Sequence, residues 1–209
     1  KPNEKQQLAA LYDFHHQHML LDGFTHVAHY DIDEYLQLNK HENVRDFVKE
    51  YLTDEHGILD KKCGAITLNW VFMGSNNLKK YSPEPVPVRF TCGGRETYHG
   101  MKPFFRTDAV SKIWVHAVFY DDPPVFDARN KKTGWRTCTT DNRTITEWIF
   151  PGGPRDIIQL NHYQVKTWPE NLHVRSRGSS MSGGHEKARK LSDIVKYFNA
   201  HNINEEPDF

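Results

Sequence analysis

The 209 residues carry 27 Lys and Arg against 27 Asp and Glu, a balance that argues against a generic nucleic-acid binder. Hydrophobic residues make up 37 %, and no uninterrupted apolar run reaches the length of a membrane span. One compact domain with a real core is the expectation for this length, and no charged leader with an apolar centre marks a signal peptide. Cys63, Cys92 and Cys138 are odd in number and far apart, which suits neither a disulfide framework nor a zinc site and points to a reducing compartment. The chain opens on Lys1, as a fragment of a larger protein would.

Helix and strand signals alternate along the chain, the pattern of an α/β domain. Residues 4–21 place Leu8, Leu11, Tyr12 and Met19 near helical spacing and lead into a strand over 25–30. Asn43 can cap a helix whose apolar stripe is Val44, Phe47, Val48, Tyr51 and Leu52. Residues 65–73 read as a buried strand that opens into a turn at Gly74-Ser75-Asn76-Asn77. Pro83, Pro85 and Pro87 predict an extended, non-helical connection. Further strands are expected over 102–106, 113–120, 144–150 and 157–163.

Asp31-Ile32-Asp33-Glu34 follows the first strand. Strand alternation would put Asp31 and Asp33 on one face, with Ile32 and Glu34 on the other. Two carboxylates on one face are costly without a cation, and oxygen ligands favour a hard ion such as Mg²⁺ or Mn²⁺ that also binds phosphates. A solvated acidic turn after an edge strand is the plainer alternative.

A second cluster lies in the C-terminal third. His162 stands at the end of the 157–163 strand, and Thr167-Trp168-Pro169-Glu170 is a capping box with proline in the first helical turn. Lys166 precedes that helix, Arg175 and Arg177 fall in its last turn, and Gly178 is placed to stop it. Lysine, arginines and a helix N-terminus around the Ser- and Gly-rich stretch 176–184 would make a pyrophosphate cradle. Arginines at a helix C-terminus can equally do no more than complement its dipole.

The segments Tyr30-Asp31-Ile32-Asp33-Glu34-Tyr35-Leu36, Trp70-Val71-Phe72-Met73-Gly74-Ser75, Arg89-Phe90, Lys102-Pro103-Phe104-Phe105-Arg106, His116 and Asn161-His162-Tyr163-Gln164-Val165-Lys166 occur in that order. In this the chain resembles glycosyltransferases of the family 92 type, and related GT-A enzymes of large algal viruses and of bacteria that build surface polysaccharides. Residues 198–204 are similar to that family's closing segment, so the resemblance spans nearly the whole chain.

The resemblance implies a single glycosyltransferase domain over 1–209 with a GT-A-like twisted mixed sheet flanked by helices. It would move a sugar from a nucleotide-sugar, a UDP-sugar by family inference, to a hydroxyl of a glycan acceptor, in the cytoplasm (a host's cytoplasm for a viral protein). Asp31 and Asp33 match the family's Asp-X-Asp metal pair, with Asp33 favoured as the direct ligand, and His162 matches a C-terminal histidine that completes the metal site. Lys166 matches a basic residue that faces the departing diphosphate, with Arg175 or Arg177 assisting. An imidazole among oxygen ligands favours Mn²⁺ over Mg²⁺. Family members grip the nucleotide with βα units before the acidic motif, whereas only thirty residues precede Asp31 here, so an N-terminal portion is expected to lie outside this chain.

An inverting transfer needs a general base. Glu96, Asp108, Asp121, Asp122 and Asp127 are available, and so is His116, which matches a family histidine but reads equally as a satisfied core residue. Trp70, Phe72, Tyr98 and Trp114 could stack on sugar rings or simply fill the core. Two other classes remain: a metal-dependent phosphohydrolase using the same acids and His162, and a non-catalytic carbohydrate-binding module that would need the aromatics alone.

Overall fold

A computed structural model describes residues 6–14, 17, 23–53, 65–96, 100–109, 112–113, 118–119, 155–177 and 189–207. The elements run α1 (Gln6–Phe14), β1 (His26–Ala28), β2 (Glu34–Leu38), α2 (Val44–Tyr51), β3 (Ala65–Phe72), α3 (Val86–Arg89), β4 (Cys92–Gly93), β5 (Met101–Arg106), β6 (Lys112–Ile113), β7 (Val118–Phe119), β8 (Ile158–His162), α4 (Trp168–Ser176), α5 (Leu191–His201) and β9 (Glu206–Pro207). Among the described residues no helix is long and apolar enough to cross a membrane.

The fold is mixed α/β around a five-stranded sheet of order β1-β5-β3-β8-β2. Only the β3–β8 pair is parallel; β1–β5, β3–β5 and β2–β8 are antiparallel. The edge strands β1 and β2 are consecutive in the chain, joined by residues 29–33 alone. Four spacings of about 4.8 Å would hold the edges of a flat sheet about 19 Å apart. A link that ends in a tight turn cannot cover that distance, so the sheet curls until its edges meet at the acidic motif.

Side chains alternate across the sheet and divide the core in two. Ile66 and Leu68 of β3, Phe104 of β5, and Ile158 and Leu160 of β8 share one face, where Phe47 of α2 and Leu52 cover them. Phe47 is fully buried, 5.9 Å from the ring of Phe104; burying such a side chain stabilises by about 1.5–3 kcal/mol. On the opposite face Phe105 and Ile113 pack beneath Leu11 and Phe14 of α1, and Val71, Met73, Phe90 and Tyr163 form a separate cluster with Val86.

Several expectations hold. Asn43 caps α2, its Oδ1 accepting from the N–H groups of Arg45 at 3.0 Å and Asp46 at 3.1 Å. The turn after β3 carries Asn76 and Asn77 at φ of 50° and 57°, a conformation asparagine tolerates. Thr167 donates to the Glu170 carboxylate from its N–H and its hydroxyl, and Glu170 also takes a two-pronged contact from Arg89, at 3.0 and 2.8 Å. Burial pushes the Glu170 carboxyl up, but Arg89 and Thr167 outweigh it and hold the pKa below the ordinary value.

Others are corrected. The first strand ends at Ala28, and Asp31, Ile32 and Asp33 lie in a turn before β2, so strand alternation does not set the direction of the two aspartates. The proline-rich connection includes α3, a single turn in which Pro85 is the N-cap and Pro87 lies within the first turn, positions where a missing N–H costs nothing. The strand expected over 113–120 is instead a pair of short strands, with Ile113 opposite Val118. Val44, assigned to the buried stripe of α2, is 39 % exposed. Helix α1 is described from Gln6 to Phe14, and the remainder of the helix expected over 4–21, Gln17 apart, lies outside the described residues. The expected strand over 144–150 and Gly178 lie outside the described residues.

Candidate functional site

The parallel strands β3 and β8 end together, at Phe72 and His162, with Glu34 of β2 beside His162. Ligands in α/β folds gather beyond the carboxyl ends of such strands, and the acidic turn closes over this end. Its geometry is local: the Glu34 N–H donates to Asp31 O at 2.9 Å, and the Asp31 N–H donates to Glu34 Oε2 at 2.8 Å. The Tyr163 N–H donates to Asp33 O at 2.9 Å, which fastens the turn to the end of β8. Ile32 at the tip is 96 % exposed.

The two aspartates part company there. Asp31 turns to Lys102 of β5, whose Nζ lies 3.1 Å from its carboxylate and 3.7 Å from that of Glu34. Lys102 is fully buried, and the Glu34 side chain is equally shielded. Burial raises the Glu34 pKa to about 7, against the opposing pull of Lys102. Tyr30 is also raised, chiefly by burial and secondly by the charge of Glu34.

Asp33 faces the other way. Its Oδ1 is 3.7 Å from His162 Nε2. Burial raises its pKa; the charge of Lys166 opposes this most strongly, Asp31 reinforces it, and Arg175 opposes it more weakly. Lys166, directly after β8, is held at φ 52°, a left-handed conformation that costs a non-glycine residue about 1 kcal/mol or more. Arg175 of α4 lies with its guanidinium carbon 3.8 Å from the centre of the Tyr197 ring and donates from Nη2 to Gln164 Oε1 at 3.3 Å. Among the described residues its buried Nε has no hydrogen-bond partner.

An aromatic wall backs this group. The His162 ring lies 4.3 Å from that of Trp70 and 5.8 Å from that of Phe72; His201 meets Phe72 at 5.1 Å and stacks on Tyr197 at 4.1 Å. Trp70 is half-buried and packs against the first core cluster, and Phe72 is buried, the core placement weighed from sequence.

Asp33, His162, Lys166 and Arg175 therefore come together, while Asp31 is held by Lys102. Arg177 is exposed at the end of α4, two residues past Arg175 and about 200° around the helix axis from it. Asp108 is paired with Arg106 at the far end of β5, and Glu96 is exposed. His116, Asp121, Asp122, Asp127, Tyr98 and Trp114 lie outside the described residues. Sequence reasoning missed Lys102, Gln164, Tyr197 and His201. Lysine at an inward position of an apolar strand was the signal for the first; Leu191, Ile194, Val195 and Phe198, at helical spacing, signalled α5, which carries the last two.

Among the described residues no group of three or more His, Cys, Asp and Glu side chains is arranged to hold a metal. The donors that do meet are one carboxylate and one imidazole. The partly buried Asp33 carboxylate suits a cation. For His162 the hydrogen bonding decides. Gln164 Nε2 lies 2.9 Å from Nδ1, and an amide nitrogen can only donate, so the ring hydrogen sits on Nε2, the atom facing Asp33. Ligation through Nε2 requires the other tautomer, with Gln164 presenting its oxygen.

No family model matches this chain, and no curated protein or solved structure matches it either.

Proposed function

We propose that this chain is a metal-dependent glycosyltransferase of GT-A type that moves a sugar from a nucleotide-sugar, a UDP-sugar, to a hydroxyl of a glycan acceptor. The observation that supports it is the meeting of Asp33, His162, Lys166 and Arg175 beyond the ends of two parallel strands, a carboxylate and an imidazole beside two cations. That combination suits a nucleoside diphosphate carried with a divalent ion.

Asp33 would hold a divalent ion, with His162 joining it in the tautomer whose Nε2 lone pair is free; Mn²⁺ suits that mixed donor set better than Mg²⁺. Such an ion neutralises the diphosphate and polarises its oxygens as a Lewis acid. Lys166 and Arg175 meet the remaining phosphate charge, which grows as the bond to the sugar breaks, and so favour departure of the diphosphate. Arg175 is held ready by the Tyr197 ring. Trp70, on the neighbouring strand, offers an indole against which a sugar or base can stack. A cytoplasmic location fits three widely spaced cysteines, Cys63, Cys92 and Cys138.

Calorimetric titration of UDP with Mn²⁺, then with EDTA, and again on Asp33→Ala tests this reading. Binding should need both the metal and Asp33, with the variant's circular dichroism unchanged. Equal UDP affinity in Asp33→Ala would remove the metal assignment. Hydrolysis of a UDP-sugar at the same rate with and without acceptors would favour a phosphohydrolase.

A further inference from the structure

A second concavity lies at the opposite end of β1 from the acidic turn. It has a volume of about 690 Å³ and opens between the N-terminal end of β1 and helix α2, with Phe24, Phe104, Val44, Val48, Arg45 and Lys49 in its walls. Pockets for small organic ligands usually measure about 300–1,000 Å³.

The periodicity of α2 gives the groove its character. Val44 and Val48 are four residues apart and share one line of the helix; Arg45 and Lys49 share the adjacent line. An apolar strip and a cationic strip therefore run side by side along one wall. Phe24, 54 % exposed, and Val44 leave apolar surface uncovered here. Among the described residues neither Arg45 nor Lys49 enters an ion pair: Asp46, their helical neighbour, takes a hydrogen bond from Asn43, and Glu50 is paired with Lys40 and His41. His26 also lines the groove, and its buried Nε2 has no hydrogen-bond partner among the described residues. Burial, then the charge of Arg106, lowers the His26 pKa, so the positive charge of the groove belongs to Arg45 and Lys49.

We propose that this groove is a binding site for a free amphipathic carboxylate, an aliphatic chain lying on Phe24, Phe104, Val44 and Val48 with its carboxylate between Arg45 and Lys49. Two exposed cations, outside any ion pair among the described residues, beside uncovered apolar surface complement such a ligand in both parts. A sugar nucleotide has no aliphatic body to fill the apolar wall, and a neutral lipid would leave both cations unused.

Calorimetry of the full chain with octanoate and decanoate, both below their micellar concentrations, tests this. Decanoate should bind about tenfold more tightly than octanoate, because two further methylenes leave water. Decanol should bind at least tenfold more weakly than decanoate. The double variant Arg45→Glu, Lys49→Glu, at exposed positions, should lose decanoate binding at least tenfold with its circular dichroism and melting temperature unchanged. Val44→Glu should weaken binding independently through the apolar wall. No binding of decanoate, equal binding of decanol, or equal binding by the double variant would each overturn the proposal. So would attachment to phosphatidylglycerol vesicles without binding of monomeric decanoate, which would mark a membrane-facing surface instead.

Discussion

Gly100 lies flat against the Trp70 indole. The Trp70 backbone N–H donates to Gly100 O at 2.9 Å, and a Cβ on Gly100 would fall well inside van der Waals contact with the six-membered ring. The indole in turn lies 4.3 Å from the His162 ring, so the absence of one methyl group on β5's approach sets where a site histidine is supported. Gly100→Ala should cost about 1–3 kcal/mol through overpacking and displace the ring. A lowered melting temperature, an altered near-ultraviolet circular dichroism spectrum and weaker UDP binding are expected together. An unchanged spectrum would show that the ring has room to move.

Lys166 offers a way to separate stability from chemistry. At φ 52° its backbone is strained, and glycine has no such penalty. Lys166→Gly should raise stability to urea by about 1 kcal/mol, while Lys166→Ala should not. Both should slow sugar transfer far more than they weaken metal binding. Wild-type turnover in either variant would dismiss Lys166 from the leaving-group role.

Glu34 sets a pH dependence with a definite sign. Its pKa rises from an ordinary 4.5 to about 7, so the folded state holds a proton that the unfolded chain releases between those values. The stability linked to that proton is full below pH 4.5 and is lost as pH rises to 7. The change is roughly 3 kcal/mol at about 1.4 kcal/mol per unit. Glu34→Gln should therefore match the wild type near pH 5, exceed it at pH 8, and flatten the curve between them. Urea titrations at four pH values would settle the matter; parallel curves would mean that Glu34 ionises normally.

Gln164 controls which nitrogen of His162 is free. A carboxylate there can only accept, so Gln164→Glu should place the ring hydrogen on Nδ1 and release the Nε2 lone pair toward Asp33. Mn²⁺ affinity should rise several-fold in Gln164→Glu and stay near wild type in Gln164→Ala. Calorimetry with the metal alone reads the difference. Weaker binding in Gln164→Glu would exclude His162 as a ligand.

The sequence announced what depends on neighbours along the chain. The Asn43 cap, the buried run of β3, the Thr167 capping box and the strand ending at His162 are local patterns, and each is present. Contacts between distant segments were hidden. Nothing near Asp31 tells that Lys102 will reach it from β5, since that meeting follows from the pairing of β1 with β5, in which Ala28 lies opposite Phe104 and the chain just beyond β1 runs beside Lys102. The acidic motif resembled a strand end because Ile32 continues an apolar alternation; the turn is won by hydrogen bonds between Asp31 and Glu34 that alternation does not report. The prolines before α3 misled for a similar reason, being compatible with a first helical turn as well as with extended chain.

The clasp at the end of β3 bears on how the chain is made. Asn202 Oδ1 accepts the Ser75 N–H and Asn204 Oδ1 the Asn76 N–H, each at 2.7 Å, and Gly74 passes so close to Ile203 that no side chain would fit between them. A ribosome delivers β3 well before its parallel neighbour β8 and these asparagines. One edge of the central strand pairs with β5 soon after, while the edge that β8 covers waits unpaired much longer, and long-range pairings of this sort close slowly. Truncation just after α5 would deprive the nascent chain of its last fastening, leaving the strand that carries Trp70 and Phe72 open to other chains.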